Sequence, residues 1–251
     1  VNRRVRDMKR ILQVVALLFI FTGDLYSQSS DELKLYFKLS EYFLKRHVYD
    51  GLVNYEYASR NPKEIELIHD KISEIDLSGT SANEKKAYLI NAYNLLVIYQ
   101  VIESYPLSRP LDREGFFDQV EYQIDGKRLT LNELESDVLF GEFKDPRLHF
   151  ALACAAMSCP KLYNLAFQPE RIDELLDERT RLSINDGSFI RVNKELKEVH
   201  LSKIFEWYKS DFEQKGESVL GFINRYRVEK IPSDYKIKHY EYDWTLNERK
   251  S

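Results

Sequence analysis

Residues 81–104 read SANEKKAYLINAYNLLVIYQVIES, and this stretch decides the fold. Ser81 and Glu84 have the spacing of a capping box, in which two side chains satisfy unpaired backbone N–H groups at a helix start. The helix that they open is expected to end near Ser104. Its middle, 87–102, is apolar on nearly all sides, which predicts a central helix buried within the core.

Two asparagines, Asn91 and Asn94, lie inside this apolar helix. They are three residues apart and therefore share one face. A buried amide without a partner costs roughly 1–3 kcal/mol. We therefore expect both amides to be hydrogen-bonded on the inner side of the helix, and at least one of them to approach the segment 147–160.

The residues before the central helix predict two further helices. Helical spacing of apolar residues indicates an amphipathic helix over 31–46, which Tyr49-Asp50-Gly51 ends. Asn61-Pro62 is expected to open the next helix, with Asn as its cap and Pro at its first position. The apolar stripe of that helix consists of Ile65, Ile68, Ile72 and Ile75.

The residues after the central helix predict hairpins and shorter helices. Asp125-Gly126 suits a type I′ turn between strands at 120–124 and 127–129. A second hairpin is expected at 189–192 and 199–201, and a last strand at 235–242. Helices are expected from Thr130 (with Glu133 as its capping partner), from Pro169 to Asn185, from Ser202 and over 218–226. The Pro169 helix should carry Ile172, Leu175, Leu176, Arg179 and Leu182 on one side. The apolar run 148–157 fits either a buried strand or a short helix.

Composition and pattern together indicate one α+β domain. The 251 residues are 43% apolar and 31% charged, which excludes a disordered chain. A net charge of −4 argues against a general nucleic-acid binder. We expect helices packed around a small, mainly antiparallel sheet. In this single compact domain, 28–80 is the N-terminal helical part, 81–247 the α+β core and 248–251 a tail.

The first 27 residues have the layout of a secretory signal peptide. Basic residues precede an apolar run at 11–21, which is shorter than the roughly 20 residues that span a bilayer. A buried or anchoring helix is the alternative. We expect cleavage near Ser27-Gln28, with Met8 as an alternative start. The mature protein would then be periplasmic or secreted and not stably inserted in a membrane.

Thiol chemistry is the one catalytic possibility that the residues suggest. It needs a thiolate, an imidazole that takes its proton and a polar group that orients the imidazole. Cys159 is the better nucleophile, because the proline after it favours a loop. Cys154, inside the apolar run, is expected to be a small buried hydrophobe. His149 would act as base and then acid, and the groups that could orient it are Glu135, Asn91 and Asn94.

Structural interpretations compete with this one. His149 fits a satisfied core histidine, and Cys154 with Cys159 fits a disulfide in an oxidising compartment. Asn91, Asn94 and Glu135 together fit a buried network that fixes helix packing. The chain has no Gly-rich phosphate loop, and its five histidines lack metal-ligand spacing. Neither a cofactor nor a metal is therefore expected.

Several separated motifs resemble one family, that of domain of unknown function 547. They are DGLVNY (50–55), INAYN (90–94), LNELE (131–135), DPRLHFAL (145–152), SCP (158–160), LSKIFEWYKSDF (201–212) and YDWTLN (242–247). The family is named for lacking a known activity. The positions that this resemblance singles out are Asn91, Asn94, Glu135, Arg147, His149, Ser158, Cys159 and Pro160. They imply a site between the central helix and the segment 147–160.

Two kinds of function follow as expectations. In the first, Cys159 attacks an acyl carbon in thiol-dependent acyl transfer or hydrolysis. Asn91, Asn94, Arg147 and Ser158 would then bind the substrate, with Arg147 holding a carboxylate through its planar fork. Transglutaminase-like and papain-like enzymes offer an analogy, although their thiol begins the central helix, which here carries only Asn. In the second, the same pocket belongs to a non-catalytic module that binds a small molecule or a peptide. A purely structural protein would instead expose its many Tyr and Trp residues in a patch.

Overall fold

The computed structural model describes residues 31–250, so the expected signal peptide and its cleavage site lie outside the described residues. Within 31–250, no helix has both the length and the apolar character that crossing a membrane requires.

Four helices make up the first part of the described chain. They are α1 (31–47), α2 (Tyr55–Arg60), α3 (Lys63–Glu74) and α4 (Ala82–Glu103). Both hydrogen bonds of the capping box between Ser81 and Glu84 are present, and almost every residue from the third turn of α4 onward is buried. The isoleucine stripe of α3 is buried as well. The predicted central helix is therefore confirmed.

The start of α3 differs from the prediction. Asn61 ends α2, where its Nδ2 donates to the Tyr57 carbonyl at 3.0 Å, and Pro62 directly precedes the first residue of α3. A six-residue helix is too short to show a period of 3.6 in the sequence. For the same reason the two-residue strands β1 (Val48–Tyr49) and β2 (Leu52–Val53) were not predicted.

The Asp-Gly hairpin is confirmed as β3 (Glu121–Ile124) and β4 (Lys127–Thr130). Its turn residues have the positive φ angles of a type I′ turn, 48° at Asp125 and 72° at Gly126. The capping box of Thr130 and Glu133 opens α5 (Leu131–Glu133). This helix continues through a π-helical segment (Leu134–Phe140) into α6 (Gly141–Phe143). Such wide turns are frequent at functional sites, and this one carries Glu135.

The apolar run 148–157 forms neither the strand nor the helix that was considered. A 3₁₀ turn (Pro146–Phe150) begins it, and the rest is irregular, with a single β-bridge between Ala156 and Leu246. Other parts of the chain satisfy its backbone. Met157 N–H, for example, donates to the Thr245 carbonyl at 2.8 Å. A backbone whose hydrogen-bond partners lie far away in the sequence shows no periodic pattern in its own residues.

The C-terminal part builds a second layer. It contains α7 (Ile172–Asn185), β5 (Ile190–Asn193), β6 (Glu198–Leu201), α8 (Ile204–Trp207), α9 (Lys209–Phe212), α10 (Val219–Tyr226) and β7 (Lys236–His239). Strand β6 pairs antiparallel with β5 and parallel with β7. Two details differ from the prediction. The helix after Ser202 is split into the single turns α8 and α9, and Leu182 on α7 is exposed.

Two apolar clusters hold the fold together. The larger surrounds α4, and the smaller joins Phe150 to β5, β6, α8, α9 and α10. Helices around small, mainly antiparallel sheets make this an α+β protein, as the sequence predicts. The first two residues of the expected tail, Glu248 and Arg249, are hydrogen-bonded to the rest of the fold. The Tyr105 hydroxyl donates to Glu248 at 2.7 Å, and Arg249 N–H donates to the Val53 carbonyl at 2.8 Å.

Candidate functional site

A cavity of about 120 Å³, which we call the aromatic pocket, lies between α4, the π-helical segment, α8 and the C-terminal residues. Its walls contain all three residues that the sequence predicts to be catalytic. The main lining residues are Tyr93, Phe117, Glu135, His149, Cys154, Cys159, Pro160, Trp207, Tyr208, Tyr242 and Trp244.

Cys154 and Cys159 form a disulfide, the alternative that the sequence left open. The chain turns back through the residues between them, with Ala155 at a φ of 58°, so that the two Cα atoms are 6.2 Å apart, within the normal range for a disulfide. We call residues 154–160 the disulfide loop. In this form Cys159 has no thiol, and the thiolate that nucleophilic catalysis requires is absent.

The burial of the two cysteines is the reverse of the expectation. Cys159 lies at a bend, as predicted, but it is buried, whereas Cys154 is partly exposed. Both side chains nevertheless line the aromatic pocket. The Tyr242 hydroxyl lies 3.2 Å from both sulfurs. Burial raises the pKa of Tyr242, so this phenol stays protonated.

His149 is held by Asp211, a residue to which the sequence assigned no role. Its Nε2 lies 2.8 Å from Asp211 Oδ2. The buried ring stacks on Phe140, with centroids 4.2 Å apart, and it also lies 4.3 Å from the ring of Tyr208 and 5.2 Å from that of Phe212. None of the predicted orienting groups, Glu135 or the two asparagines, is its partner here. The signal was present, since Asp211 belongs to the LSKIFEWYKSDF motif, but spacing alone does not pair residues 62 positions apart.

Glu135 anchors the polar side of the pocket. Its carboxylate accepts two phenol hydrogen bonds, from Tyr93 at 2.8 Å and from Tyr208 at 3.2 Å. Burial is the largest cause of the raised pKa of both tyrosines, and the negative charge of Glu135 is the second largest. The phenols therefore remain neutral donors that fix the carboxylate in position, and no Lys, Arg or His within residues 31–250 forms an ion pair with it.

Three aromatic rings form the rim. Tyr242 lies between Trp207 and Trp244, with ring centroids 4.9 Å and 4.8 Å away. Trp207 is 49% exposed. The chain is rich in Tyr, but no residue pattern in the sequence assigns these three rings to the site. Among the described residues, neither Lys nor Arg lines the pocket. A carboxylate beneath electron-rich ring faces suits a positively charged group.

Asn91 and Asn94 lie behind the pocket rather than on its wall. Asn94 donates Nδ2 to the Ala151 carbonyl and accepts from Ala153 N–H, both at 2.9 Å. Asn91 bonds in the same two ways to Phe167, at 2.9 and 2.8 Å. The expectation that both amides are satisfied internally, and that one reaches 147–160, is confirmed. Backbone groups occupy both amides, which gives them a structural role, and we call the contacts of Asn94 with Ala151 and Ala153 the clamp.

Arg147 also lies away from the aromatic pocket. Its guanidinium binds three carboxylates, with shortest distances of 2.7 Å to Asp145, 2.8 Å to Asp173 and 3.0 Å to Asp177. Hydrogen bonds to Asp145 are the largest cause of the raised pKa of Arg147. A guanidinium surrounded by the protein's own carboxylates is not available for a substrate carboxylate, which is the role that the sequence suggested.

Ser158, the fourth predicted substrate-binding residue, belongs to another surface. Its hydroxyl accepts from Asp243 N–H at 2.8 Å, and the residue lines a larger cleft on the other side of the disulfide loop. Within residues 31–250, no group of three His, Cys, Asp or Glu side chains is arranged to hold a metal ion.

No curated protein and no solved structure matches the chain. Residues 77–182 match a family described as "Protein of unknown function, DUF547". This range contains α4 with both asparagines, and also Glu135, His149 and the disulfide loop. Over these residues, which supply one wall of the aromatic pocket and the clamp behind it, the chain resembles the DUF547 family.

Proposed function

We propose that this is an exported, non-catalytic binding module whose aromatic pocket takes a small cationic group of its ligand. The observation that carries the proposal is the Glu135 carboxylate, which two phenols hold beneath an aromatic rim. The disulfide supports the choice of binding over thiol catalysis, because it occupies the sulfur of Cys159.

The charge of the pocket favours a cation. Glu135 contributes a negative charge, and the faces of Trp207, Tyr242 and Trp244 contribute negative quadrupoles. A cation within about 6 Å of such a ring gains roughly 0.5–2 kcal/mol, with more gain when water is excluded. An anion would meet the carboxylate with neither Lys nor Arg in the described lining to offset it.

The size of the pocket limits what enters it. A cavity of about 120 Å³ is smaller than the sites that enclose a whole drug-sized molecule, which measure roughly 300–1,000 Å³. We therefore propose that an ammonium head group enters and that the rest of the ligand lies along the exposed tryptophan rim. A quaternary ammonium compound and a lysine side chain of a peptide share this chemistry.

Choline is the simplest probe, and the protein carries its own reporter. The chain has two tryptophans, Trp207 and Trp244, and both line the pocket. We expect choline to produce a saturable change in tryptophan fluorescence. Its neutral isostere 3,3-dimethyl-1-butanol, which has the same shape without the charge, should produce none. Equal responses to both compounds, or no response to choline, would contradict the proposal.

The Glu135→Gln variant separates charge from shape. It should weaken choline binding by about tenfold or more, because an ionic hydrogen-bonded contact is worth about 1.5–3 kcal/mol. Glu121→Gln is the matched control, since Glu121 lies on the exposed face of β3 in an ion pair with Arg128. Unchanged affinity in Glu135→Gln would show that the carboxylate does not bind the ligand.

Thiol-dependent acyl transfer or hydrolysis is the second candidate function. It is favoured by one observation, that Cys159 and His149 line the same pocket. This function requires reduction of the disulfide before Cys159 can attack. Cys159 would then be the nucleophile and His149 the base, with Asp211 orienting the imidazole.

Alkylation tests this second candidate. Iodoacetamide should label neither cysteine until a reductant is added. After reduction, the thiol function requires that Cys159 react faster than Cys154 near neutral pH, and that His149→Ala slow this reaction, because an imidazolium stabilises the thiolate. Equal rates with and without His149 would exclude a Cys–His catalytic pair. Labelling before reduction would show that the disulfide is absent.

The proposal of export rests on the N-terminal residue pattern and on the disulfide, which persists in oxidising compartments. Mass spectrometry of the protein from its native host should find a mature N-terminus near Gln28. An intact N-terminal segment on cytoplasmic protein would contradict it.

A further inference from the structure

A second cleft lies on the opposite side of the disulfide loop. Its volume is about 680 Å³, within the range of small-molecule sites. Cys159 and Pro160 belong to the walls of both this cleft and the aromatic pocket. The charged residues in its lining are Asp50, Lys161, Arg179, Asp186, Arg191, Glu241 and Asp243.

Arg179, on α7, is the unusual member of this lining. The residue is only 8% exposed, yet no carboxylate of the described chain forms an ion pair with it. Its Nη2 donates to the Lys161 carbonyl at 2.6 Å, and its Cζ lies 5.0 Å from the centre of the Tyr163 ring. Its Nε is buried and has no hydrogen-bond partner. Burial lowers the pKa of Arg179, and the negative charge of the neighbouring Glu178 offsets this only in part.

Three of the acidic groups in the cleft have other partners. Asp50 pairs with Lys161 at 3.0 Å, Asp186 accepts from the backbone and hydroxyl of Ser188, and Asp243 accepts from Thr245 N–H. Arg191 lies over the ring of Tyr240, 4.3 Å from its centre. None of these contacts neutralises Arg179. A buried guanidinium that no carboxylate of residues 31–250 contacts in an ion pair is costly, and an anion that enters from the cleft would lower that cost.

We infer that this cleft is a second binding site, in which the guanidinium of Arg179 holds the α-carboxylate of a free amino acid or of a peptide C-terminus. A planar carboxylate matches the donor geometry of a guanidinium. The acidic lining residues disfavour a doubly charged phosphate but accommodate a single negative charge. Glu241 and Asp243 also give the ammonium of a free amino acid an acidic neighbour.

Calorimetric titration of the full-length protein tests this inference. N-acetylalanine and alanine both carry the carboxylate, alaninamide lacks it, and inorganic phosphate represents other anions. We expect heat of binding from at least one of the two carboxylates and none from alaninamide or phosphate. Tighter binding of N-acetylalanine indicates a peptide C-terminus, and tighter binding of alanine indicates a free amino acid. If neither carboxylate binds at a concentration of roughly 10 mM, the inference is overturned. A dissociation constant above that concentration corresponds to a binding free energy weaker than about −3 kcal/mol. Binding of phosphate or alaninamide as tight as that of the carboxylates would overturn it as well.

Arg179→Met keeps the length of the side chain and removes the charge. We expect it to lower the affinity for the carboxylate probe at least tenfold, while the thermal midpoint of the free protein stays the same or rises, because an unpaired buried charge has been removed. Arg181→Met is the matched control: Arg181 lies on the exposed face of the same helix, and neither affinity nor midpoint should change. If Arg179→Met does not fold, Arg179→Lys retains the charge without the fork and should still lose affinity. Undiminished binding in the folded Arg179 variant would overturn the inference.

Discussion

Replacing Asn94 by alanine is expected to lower the free energy of unfolding by about 3 kcal/mol. The side chain is buried, and it bonds the carbonyl of Ala151 and the N–H of Ala153 at the same time. Removing the amide leaves both backbone groups buried without partners, at roughly 1–3 kcal/mol each. The clamp lies immediately before Cys154, so its loss should also loosen the disulfide loop.

Urea unfolding of the Asn94→Ala protein measures this cost. Asn83→Ala is the matched control, since Asn83 lies on the exposed first turn of the same helix. There we expect a change within about 0.5 kcal/mol. Asn91→Ala should exceed about 1 kcal/mol, because Asn91 holds Phe167 in the same way. An unchanged midpoint in Asn94→Ala would show that the two hydrogen bonds contribute nothing to stability.

Replacing Arg147 by methionine should cost about 2–3 kcal/mol. Removing one partner from a buried charge pair typically costs 3–5 kcal/mol. The smaller figure applies because the Arg147 side chain is 19% exposed and Asp173 and Asp177 reach solvent. Asp145 is the carboxylate left most deeply buried, with Lys86 Nζ at 3.8 Å as its remaining cation. Thermal unfolding measures the loss. Arg171→Met, which removes an exposed pair with Glu174, should leave the midpoint nearly unchanged.

The cost of Arg147→Met should depend on pH. Burial alone would raise the pKa of Asp145, but hydrogen bonds and charge from Arg147 outweigh it and hold this pKa below its usual value. A lowered folded-state pKa stabilises the protein above the unfolded pKa of about 4, and this stabilisation disappears as pH falls through the folded-state value. The difference between wild type and variant should therefore be largest near neutral pH and shrink below about pH 3. A difference that stays constant from pH 7 to pH 3 would show that Asp145 does not depend on Arg147.

Features set by neighbouring residues followed from the sequence alone. The capping boxes at Ser81 and Thr130 and the type I′ turn at Asp125-Gly126 were predicted correctly. So was the burial of α4, because an apolar residue at nearly every position leaves no face for water. The satisfied amides of Asn91 and Asn94 were also predictable, since a buried amide needs a hydrogen-bond partner whichever group supplies it.

The choice of partner, in contrast, was decided only by the tertiary structure. His149 pairs with Asp211 rather than with Glu135, which is nearer in the sequence. Arg147 binds the carboxylates of Asp173 and Asp177, whereas the sequence suggested a substrate carboxylate. Which cysteine is buried also depends on how the irregular disulfide loop is held by residues near 245. A local sequence encodes hydrogen-bonding capacity and backbone preference over a few residues. The position of a group 30 or 60 residues away depends on packing of the whole chain, and the site is made from such distant pairs.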